Sequence, residues 1–319
     1  MQLMKKWTLA ASTILAYFTT NLYAQAPTET EFEITNGYRQ DRIYSHINSY
    51  APPTNLIFRD KLSIKDISYY QLGLRGNVFI CEPMIDLGDL YICLETDYAW
   101  AGSGTYHEKG FVPAGMTSHT KARVHSGDAE DFIVGGGYLF DFNRCCGIVP
   151  EGFVIGPIAG WSYQRQKLKM EHATTNGKTN NALNGLTYTN RWQGPWLGFD
   201  ATHIVNDFEF NIGYEYHWAE WDATWVIRGP ANIDVAFSDR RKSENTTGQV
   251  FYLNGCWKTC YGLSLGLGVK YQSWHTSSGH EKPKAGSFAA IGLSSSEHDV
   301  VKSAGWTSFA ATFDIGYVF

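Results

Sequence analysis

The chain has 319 residues, of which only 18% are Asp, Glu, Lys or Arg and 15% are aromatic, and its formal net charge is −5. The acidic balance is spread along the chain without a basic stripe, which argues against a nucleic-acid partner. A mean hydropathy of −0.27 excludes a bundle of membrane-spanning helices.

The N-terminus is predicted to be a secretory signal peptide covering residues 1–24. Two lysines precede an apolar stretch that begins at Trp7, and a signal peptidase could cut after Ala24. A buried N-terminal helix is the alternative. The apolar stretch is short, however, and it has lysines before it and a possible cleavage site after it, as a signal peptide does. Beyond it, no run approaches the roughly 18 apolar residues of a transmembrane helix. The mature chain, 25–319, is therefore expected to be either soluble or a barrel.

Apolar side chains recur at every second residue in long segments, which predicts strands. The clearest are FEFNIGYEYHW (208–218) and TSFAATFDIGYVF (307–319). These segments reach the roughly 9–11 residues of a bilayer-spanning strand. A soluble β-sandwich is the alternative, although its strands would be shorter and its inward face richer in Val, Ile and Leu. The predicted strands lie near 32–46, 67–80, 90–100, 130–142, 152–168, 188–203, 207–226, 247–256, 261–276 and 301–319.

The connections between these ten strands predict the architecture. Turns after the even-numbered strands are short, whereas the other connections, such as 101–129, are long and polar. Short turns on one side and long loops on the other are typical of outer-membrane barrels, in which both chain ends lie in the periplasm. The expected fold is therefore all-β: a transmembrane antiparallel β-barrel of residues 25–319 with long extracellular loops.

Alternation also divides each strand into a lipid face and a lumen face. In LSLGLGVKYQ (263–272), Leu263, Leu267 and Tyr271 are expected to meet lipid. Trp274 and Trp306 fall on the opposite parity from the lipid-facing aromatic residues, and we assign them to neither face. Ten ionisable residues are predicted to line the lumen and set its selectivity: Arg39, Arg75, Glu95, Asp97, Asp200, Glu209, Glu215, His217, Lys270 and Asp314.

Acids outnumber bases in this set, so a water-filled lumen would favour cations. If the charged groups pair with one another instead, they form a polar plug and the barrel does not conduct. A barrel of about ten strands lies between those that side chains can fill and those that leave a channel, so both states stay open.

The six cysteines cluster near the predicted periplasmic turns. Export implies an oxidising compartment, so disulfides are expected, within the chain or to other envelope proteins. Free thiols are the alternative, and a metal site is disfavoured because the Cys-x-x-x-Cys spacing has no second pair or nearby histidines. We predict no cofactor. The disulfide candidates are Cys81, Cys93, Cys145, Cys146, Cys256 and Cys260.

The mature chain resembles the outer-membrane proteins of environmental chlamydiae, the Protochlamydia outer membrane protein family, in NGYRQDRIYSHI (36–47) and in its cysteine-bearing turns. The resemblance implies a porin in a disulfide-rich envelope. The terminal Phe319 also resembles the signal that the barrel-assembly machinery reads in bacterial outer-membrane proteins. The implied location is the bacterial outer membrane, with its lipid and that machinery as partners.

The barrel is also similar to omptins, ten-stranded outer-membrane proteases, in the order and spacing of its strands. Omptins use an Asp-x-Asp pair and an Asp-x-His pair at the outer rim. The matching stretches, GSGTYHEKG and WAEWDATWVIRG, lack both pairs and retain only His107, Glu108, Glu220 and Asp222. We therefore expect no enzymatic activity and interpret these four residues as solvated loop and rim groups.

Two function classes follow from the sequence. The first is a small porin that passes ions or small solutes with a preference for cations. The second is a surface structural or adhesive barrel of a disulfide-linked envelope. An omptin-like protease relative without the catalytic pairs is a weaker third reading.

Overall fold

In the computed structural model, the described residues are 28–51, 55–81, 88–112, 115–141, 152–227, 237–259, 261–283 and 298–319. Their strands, in chain order, are β1 (Thr28–Ala51), β2 (Asn55–Cys81), β3 (Gly88–Val112), β4 (Gly115–Asp141), β5 (Phe153–Thr175), β6 (Lys178–Thr179), β7 (Thr187–Val205), β8 (Phe208–Ile227), β9 (Phe237–Lys258), β10 (Leu263–Thr276), β11 (Gly279–Pro283) and β12 (His298–Val318). A 3-10 turn, Asn181–Leu183, precedes β7. The predicted signal peptide lies outside the described residues. No helix in the described ranges is long and apolar enough to cross a membrane.

The strands form one antiparallel sheet that closes into a ring. Each long strand pairs with the next long strand along the chain, and β1 also pairs with β12. The two short strands, β6 and β11, only extend the ring locally at its outer end. The predicted antiparallel barrel with ten long strands is therefore confirmed. We call the end that holds both termini of the barrel the inner end.

The part of the barrel nearer the inner end, which we call the lower part, has the predicted apolar outer face. Exposed apolar side chains occur on all ten long strands; examples are Ile34, Leu72, Phe210, Leu267 and Ile315. Leu267, for example, is 68% exposed, although leucine is usually buried in proteins that fold in water. Because such a surface is favourable only against hydrocarbon, this band marks the part of the barrel that spans the membrane.

The strands continue well beyond this band, which corrects the expected long loops. Residues 101–129 were predicted to be a polar loop, but most of them belong to β3 and β4, which pair as a hairpin. In this upper part the polarity of the two faces is reversed. Tyr106 and Val124 are buried inside the barrel, whereas Lys109 and Arg123 are exposed outside. The upper strands therefore fold around their own apolar core in water, as soluble sheets do.

Candidate functional site

The centre of the lumen is crossed by a buried group of side chains around Arg39. Its guanidinium donates from Nε to Asp41 Oδ1 at 2.9 Å and from Nη1 to Asp131 Oδ2 at 2.8 Å. It also lies 5.1 Å from the ring centroid of Trp306 and 5.5 Å from that of Tyr69. All five residues are at most 3% exposed. A buried arginine with two carboxylates and two aromatic faces satisfies its charge inside the barrel.

Polar side chains join this group to the other walls. Gln272 Nε2 donates to Asp131 Oδ2 at 3.4 Å, and Gln166 Nε2 donates to Asp41 Oδ2 at 2.7 Å. Gln166 in turn accepts from Asn190 Nδ2 at 3.1 Å. Because β10 and β4 lie on opposite sides of the ring, the contact between Gln272 and Asp131 spans its full width.

Four tryptophans complete the same level. The ring centroids of Trp274 and Trp306 are 6.0 Å apart with an interplanar angle of 11°, and Trp192 lies 6.0 Å from Trp274 and 5.9 Å from Trp221. The register of β10 with β12 is regular, so Trp274 and Trp306 face inward, as their sequence parity indicates. We call these four rings, together with Arg39, Asp41, Asp131, Gln166, Asn190 and Gln272, the central layer.

His217 lies against the central layer and is bonded on both ring nitrogens. Ser162 Oγ lies 2.9 Å from Nδ1, and Glu215 Oε2 lies 2.8 Å from Nε2. The ring centroid of Trp274 is 4.7 Å away. A hydroxyl, an imidazole and a carboxylate that are hydrogen-bonded in this order form the arrangement that activates a serine nucleophile in enzymes. Ser162 and His217 are completely buried, however, so a substrate has no access to the hydroxyl and the chain of bonds serves to position the imidazole.

Below the central layer lies an open cavity with about 120 Å³ of space accessible to water. Seven of the ten predicted lumen residues line it: Arg75, Glu95, Asp97, Asp200, Glu209, Glu215 and Lys270. Arg39 and His217 lie higher, in or beside the central layer, and Asp314 is buried in the wall. The structure thus places all ten inside the barrel. It brings them together in two levels rather than along one open path.

Ion pairs connect the walls of the cavity. Lys270 pairs with Glu95 across the lumen, and Arg75 Nη1 lies 3.2 Å from Glu33 Oε2. Near the inner end, Lys258 pairs with Glu31 and, at 2.7 Å, with Glu209. These pairs leave an excess of acid, because the lining includes seven carboxylates and three cationic side chains. The cavity is therefore electronegative, as the sequence predicts.

Several residues of the lumen were missed by the sequence interpretation. Asp41 and Asp131 are the partners of Arg39, and Lys258 bridges two acids, yet none was identified as a lumen group. Asp41 has the same parity as Arg39 two residues earlier, so alternation could have identified it. Asp131 lies at the edge of its predicted strand 130–142, and Lys258 lies just beyond the predicted strand 247–256, where boundaries are hardest to assign.

The described cysteine side chains are Cys93 and Cys256, and both are free thiols that line the cavity. The side chain of Cys81 and all of Cys145, Cys146 and Cys260 lie outside the described residues. The disulfides therefore stay a prediction.

The four acid and base residues at the outer rim do not face a common site. His107 faces outward and stacks on His119, with ring centroids 5.9 Å apart. Desolvation, with a contribution from the positive charge of Lys121, lowers the pKa of His107. Glu220 and Asp222 share the outward parity of the exposed Trp218 on β8, and Glu108 lies on the inward parity of β3.

The terminal residue is at the lipid face of the inner end. Phe319 is exposed, its backbone N–H donates to Thr30 O at 2.9 Å, and its ring packs edge-on against Tyr317 at 4.9 Å. The C-terminus is thus joined to the first strand. Its reading by the assembly machinery stays a prediction.

Comparison with known proteins agrees with this fold. The pattern of the Protochlamydia outer membrane protein family matches residues 33–319, and no curated protein is significantly similar in sequence. Among solved structures, the chain is similar to the outer membrane protease OmpT from Escherichia coli, at 11% identity over 93% of this chain and 99% of that chain, with a TM-score of 0.66. It also matches the outer membrane protein OprG from Pseudomonas aeruginosa, at 12% identity over 91% and 95% of the two chains, with a TM-score of 0.30.

At such identity the likeness to OmpT shows the fold alone, and its protease activity is not transferred. The family match covers nearly the whole chain, and the closed sheet with an apolar outer band is the architecture expected of such a protein. The chain therefore belongs to the Protochlamydia outer membrane protein family and is a β-barrel of the bacterial outer membrane.

Proposed function

We propose that the protein is a closed surface barrel, which acts through its extended outer part rather than by passing solutes through its lumen. The observation that carries this proposal is the central layer. Side chains from opposite walls bond to one another there, and Arg39, Trp274 and Trp306 are at most 1% exposed. A conducting barrel needs a continuous water-filled passage, and the paired groups of this layer occupy that space.

The outer part has the properties of a platform for contacts with other molecules. The β3–β4 hairpin extends above the membrane band with Tyr106 and Val124 packed inside, so it is supported by a core. Its outer face carries Lys109, Lys121 and Arg123, which are exposed. A rigid element with a polar surface suits contacts with host surfaces or with neighbouring envelope proteins.

This function can be tested with cells that display the protein. One variant replaces the upper part of the hairpin, 104–124, by a short turn, and a matched variant carries Asp97→Asn and Glu215→Gln inside the lumen. Retention of the cells on a host-cell monolayer is expected to fall for the shortened hairpin and to stay unchanged for the lumen variant. Heat-modified mobility on gels checks that both barrels fold. Unchanged retention after the hairpin is shortened would contradict the proposal.

A cation-preferring porin is the second candidate, and the electronegative cavity favours it. The cavity has seven carboxylates and only three cationic side chains, so it would attract cations from the inner end. Conduction requires the central layer to open, however, since Arg39 and its partners lie above the cavity. If the barrel conducts, neutralising Asp97 and Glu215 should reduce its preference for cations. A correctly inserted parent barrel that passes no current would exclude this candidate, and selectivity that does not change would exclude a role of these two acids in it.

Neither candidate function includes catalysis. The prediction that the protein is not an enzyme rests on the missing rim pairs, and the burial of Ser162 beside His217 agrees with it. Incubation with peptide substrates that contain basic residues, the simplest test of a protease, is expected to leave them intact.

A further inference from the structure

The outer face of the upper part carries cations that strand pairing brings together. The register of β2, β3 and β4 places nine outward side chains in three rows: Lys61, Lys109 and His119; then Ser63, His107 and Lys121; then, nearest the membrane, Lys65, Thr105 and Arg123. We call these nine residues the basic grid. Its four lysines and Arg123 are exposed. Because the cations come from three strands, the sequence itself shows no basic stripe.

The chain does not neutralise the charge of the basic grid. The grid has no carboxylate of its own, and the two acids that border it are Asp66 and Glu171. Glu171 is opposite Arg123 in the pairing of β4 with β5, and it lies 3.7 Å from His125. Among the described residues, none of the five cations of the grid forms an ion pair, whereas Arg165, lower on the same outer surface, contacts two carboxylates.

The register also sets like charges directly opposite one another. Lys61 is the partner of Lys109, which is in turn the partner of His119, and Lys121 is the partner of His107. Like charges in such positions destabilise a sheet. Desolvation lowers the pKa of His107, and the positive charges of Lys121 and its neighbours in the grid lower it further. A bound polyanion would relieve this repulsion.

The basic grid stands above the membrane rather than at its surface. Trp100 is one of the exposed aromatic residues at the top of the apolar band, and Thr105 and Lys109 follow it on β3. With a rise of about 3.3 Å per residue and a strand tilt of roughly 40°, the rows of the grid lie about 12–25 Å above Trp100. Since aromatic belts mark the level of the lipid headgroups, most of the grid faces the extracellular space.

The surface of the grid distinguishes between polyanions. It is part of a sheet, with positions about 4.8 Å apart across the strands and about 6.7 Å apart along them, and it contains no Phe, Tyr or Trp. Single-stranded nucleic acids are held by aromatic side chains on which their bases stack. A sulfated polysaccharide offers closely repeated anions and no bases, so a flat array of cations without aromatic rings favours it.

We propose that the basic grid binds a sulfated polysaccharide of the host-cell surface. This inference rests on the proposed surface function, because it names the chemistry of the partner that the same hairpin contacts. The sugar chain lies across β2, β3 and β4, with its sulfate groups paired with the exposed lysines and Arg123. These ion pairs are screened by salt, so the affinity falls as the ionic strength rises.

The test measures binding of the refolded mature chain, 25–319, to immobilised heparin, which serves as the sulfated probe, at physiological salt. The double variant Lys109→Gln and Lys121→Gln is expected to bind heparin more weakly by about tenfold or more. Lys167→Gln and Lys169→Gln together are the matched control, because they remove the same charge from the outer face of β5, outside the grid. This control should change the affinity by less than about twofold. Heat-modified mobility shows that each variant is folded.

Three results would overturn the proposal. The first is a parent chain that does not bind heparin, and the second is an equal loss in the two double variants, which would reflect only general basicity. The third is tighter binding of single-stranded DNA than of heparin at equal salt, which would indicate a nucleic acid instead. If shortening the hairpin at 104–124 reduces retention of cells while the parent chain does not bind heparin, this inference fails and the proposed surface function stands.

Discussion

Replacement of Arg39 tests the energetics of the central layer. Arg39→Met leaves Asp41 and Asp131 buried without the guanidinium that they share. Breaking a buried ion pair by removal of one partner costs about 3–5 kcal/mol, because the remaining charge is uncompensated. Adding Asp41→Asn and Asp131→Asn removes those charges, and the triple variant is expected to recover most of the lost stability.

Arg165→Met is the matched control for this prediction. Arg165 also contacts two carboxylates, Asp128 at 2.6 Å and Glu130 at 3.0 Å, but its side chain is 27% exposed on the outer face. Its removal is expected to cost only about 0–1 kcal/mol. Urea unfolding of the refolded barrels in phospholipid vesicles, followed by tryptophan fluorescence, measures all the variants. Equal losses for Arg39→Met and Arg165→Met, or a triple variant no more stable than Arg39→Met, would refute the reasoning.

Three further predictions concern the lipid face, the C-terminus and the cysteines. Leu267→Arg places a charge in the hydrocarbon band and should lower the free energy of unfolding in vesicles by about 2–4 kcal/mol, whereas Gln249→Arg, nearer the outer interface, should cost much less. Removal of Phe319 should reduce the heat-modifiable fraction in cells, and an unchanged fraction would exclude its role as an assembly signal. On non-reducing gels, the cysteines of the inner turns should form a disulfide that survives Cys93→Ser and Cys256→Ser; loss of the cross-link in that variant would place it in the lumen instead.

The membrane-spanning part of the barrel was predictable from the sequence because a single rule governs it. Between lipid and lumen, every second side chain must be apolar, so the parity of segments such as 208–218 and 307–319 fixes which way each side chain points. All ten predicted lumen residues face inward for this reason. Trp274 and Trp306 have the inward parity, but the sequence left them unassigned because tryptophan is more often expected at the lipid interface. The regular register of β10 with β12 shows that both face inward.

The outer part was not predictable by that rule because its polarity is reversed. Above the membrane the outside is water, so Lys109 and Arg123 face out and Tyr106 and Val124 face in. These stretches also contain glycines and polar residues. A search for strands with an apolar outer face therefore interprets them as loops. The pairing inside the lumen was also beyond the sequence, since the contact of Arg39 with Asp131 joins residues that are far apart in the chain and on separate strands.

The most direct test of a closed lumen is the current through the refolded mature chain, 25–319, in a planar bilayer under a salt gradient. The central layer predicts that correctly inserted barrels stay silent. It also predicts that the double variant Trp274→Ala and Trp306→Ala, in which two of the stacked rings are removed, passes current with a reversal potential that indicates cations. Discrete, cation-selective steps from the parent chain would contradict the closed barrel and establish a porin.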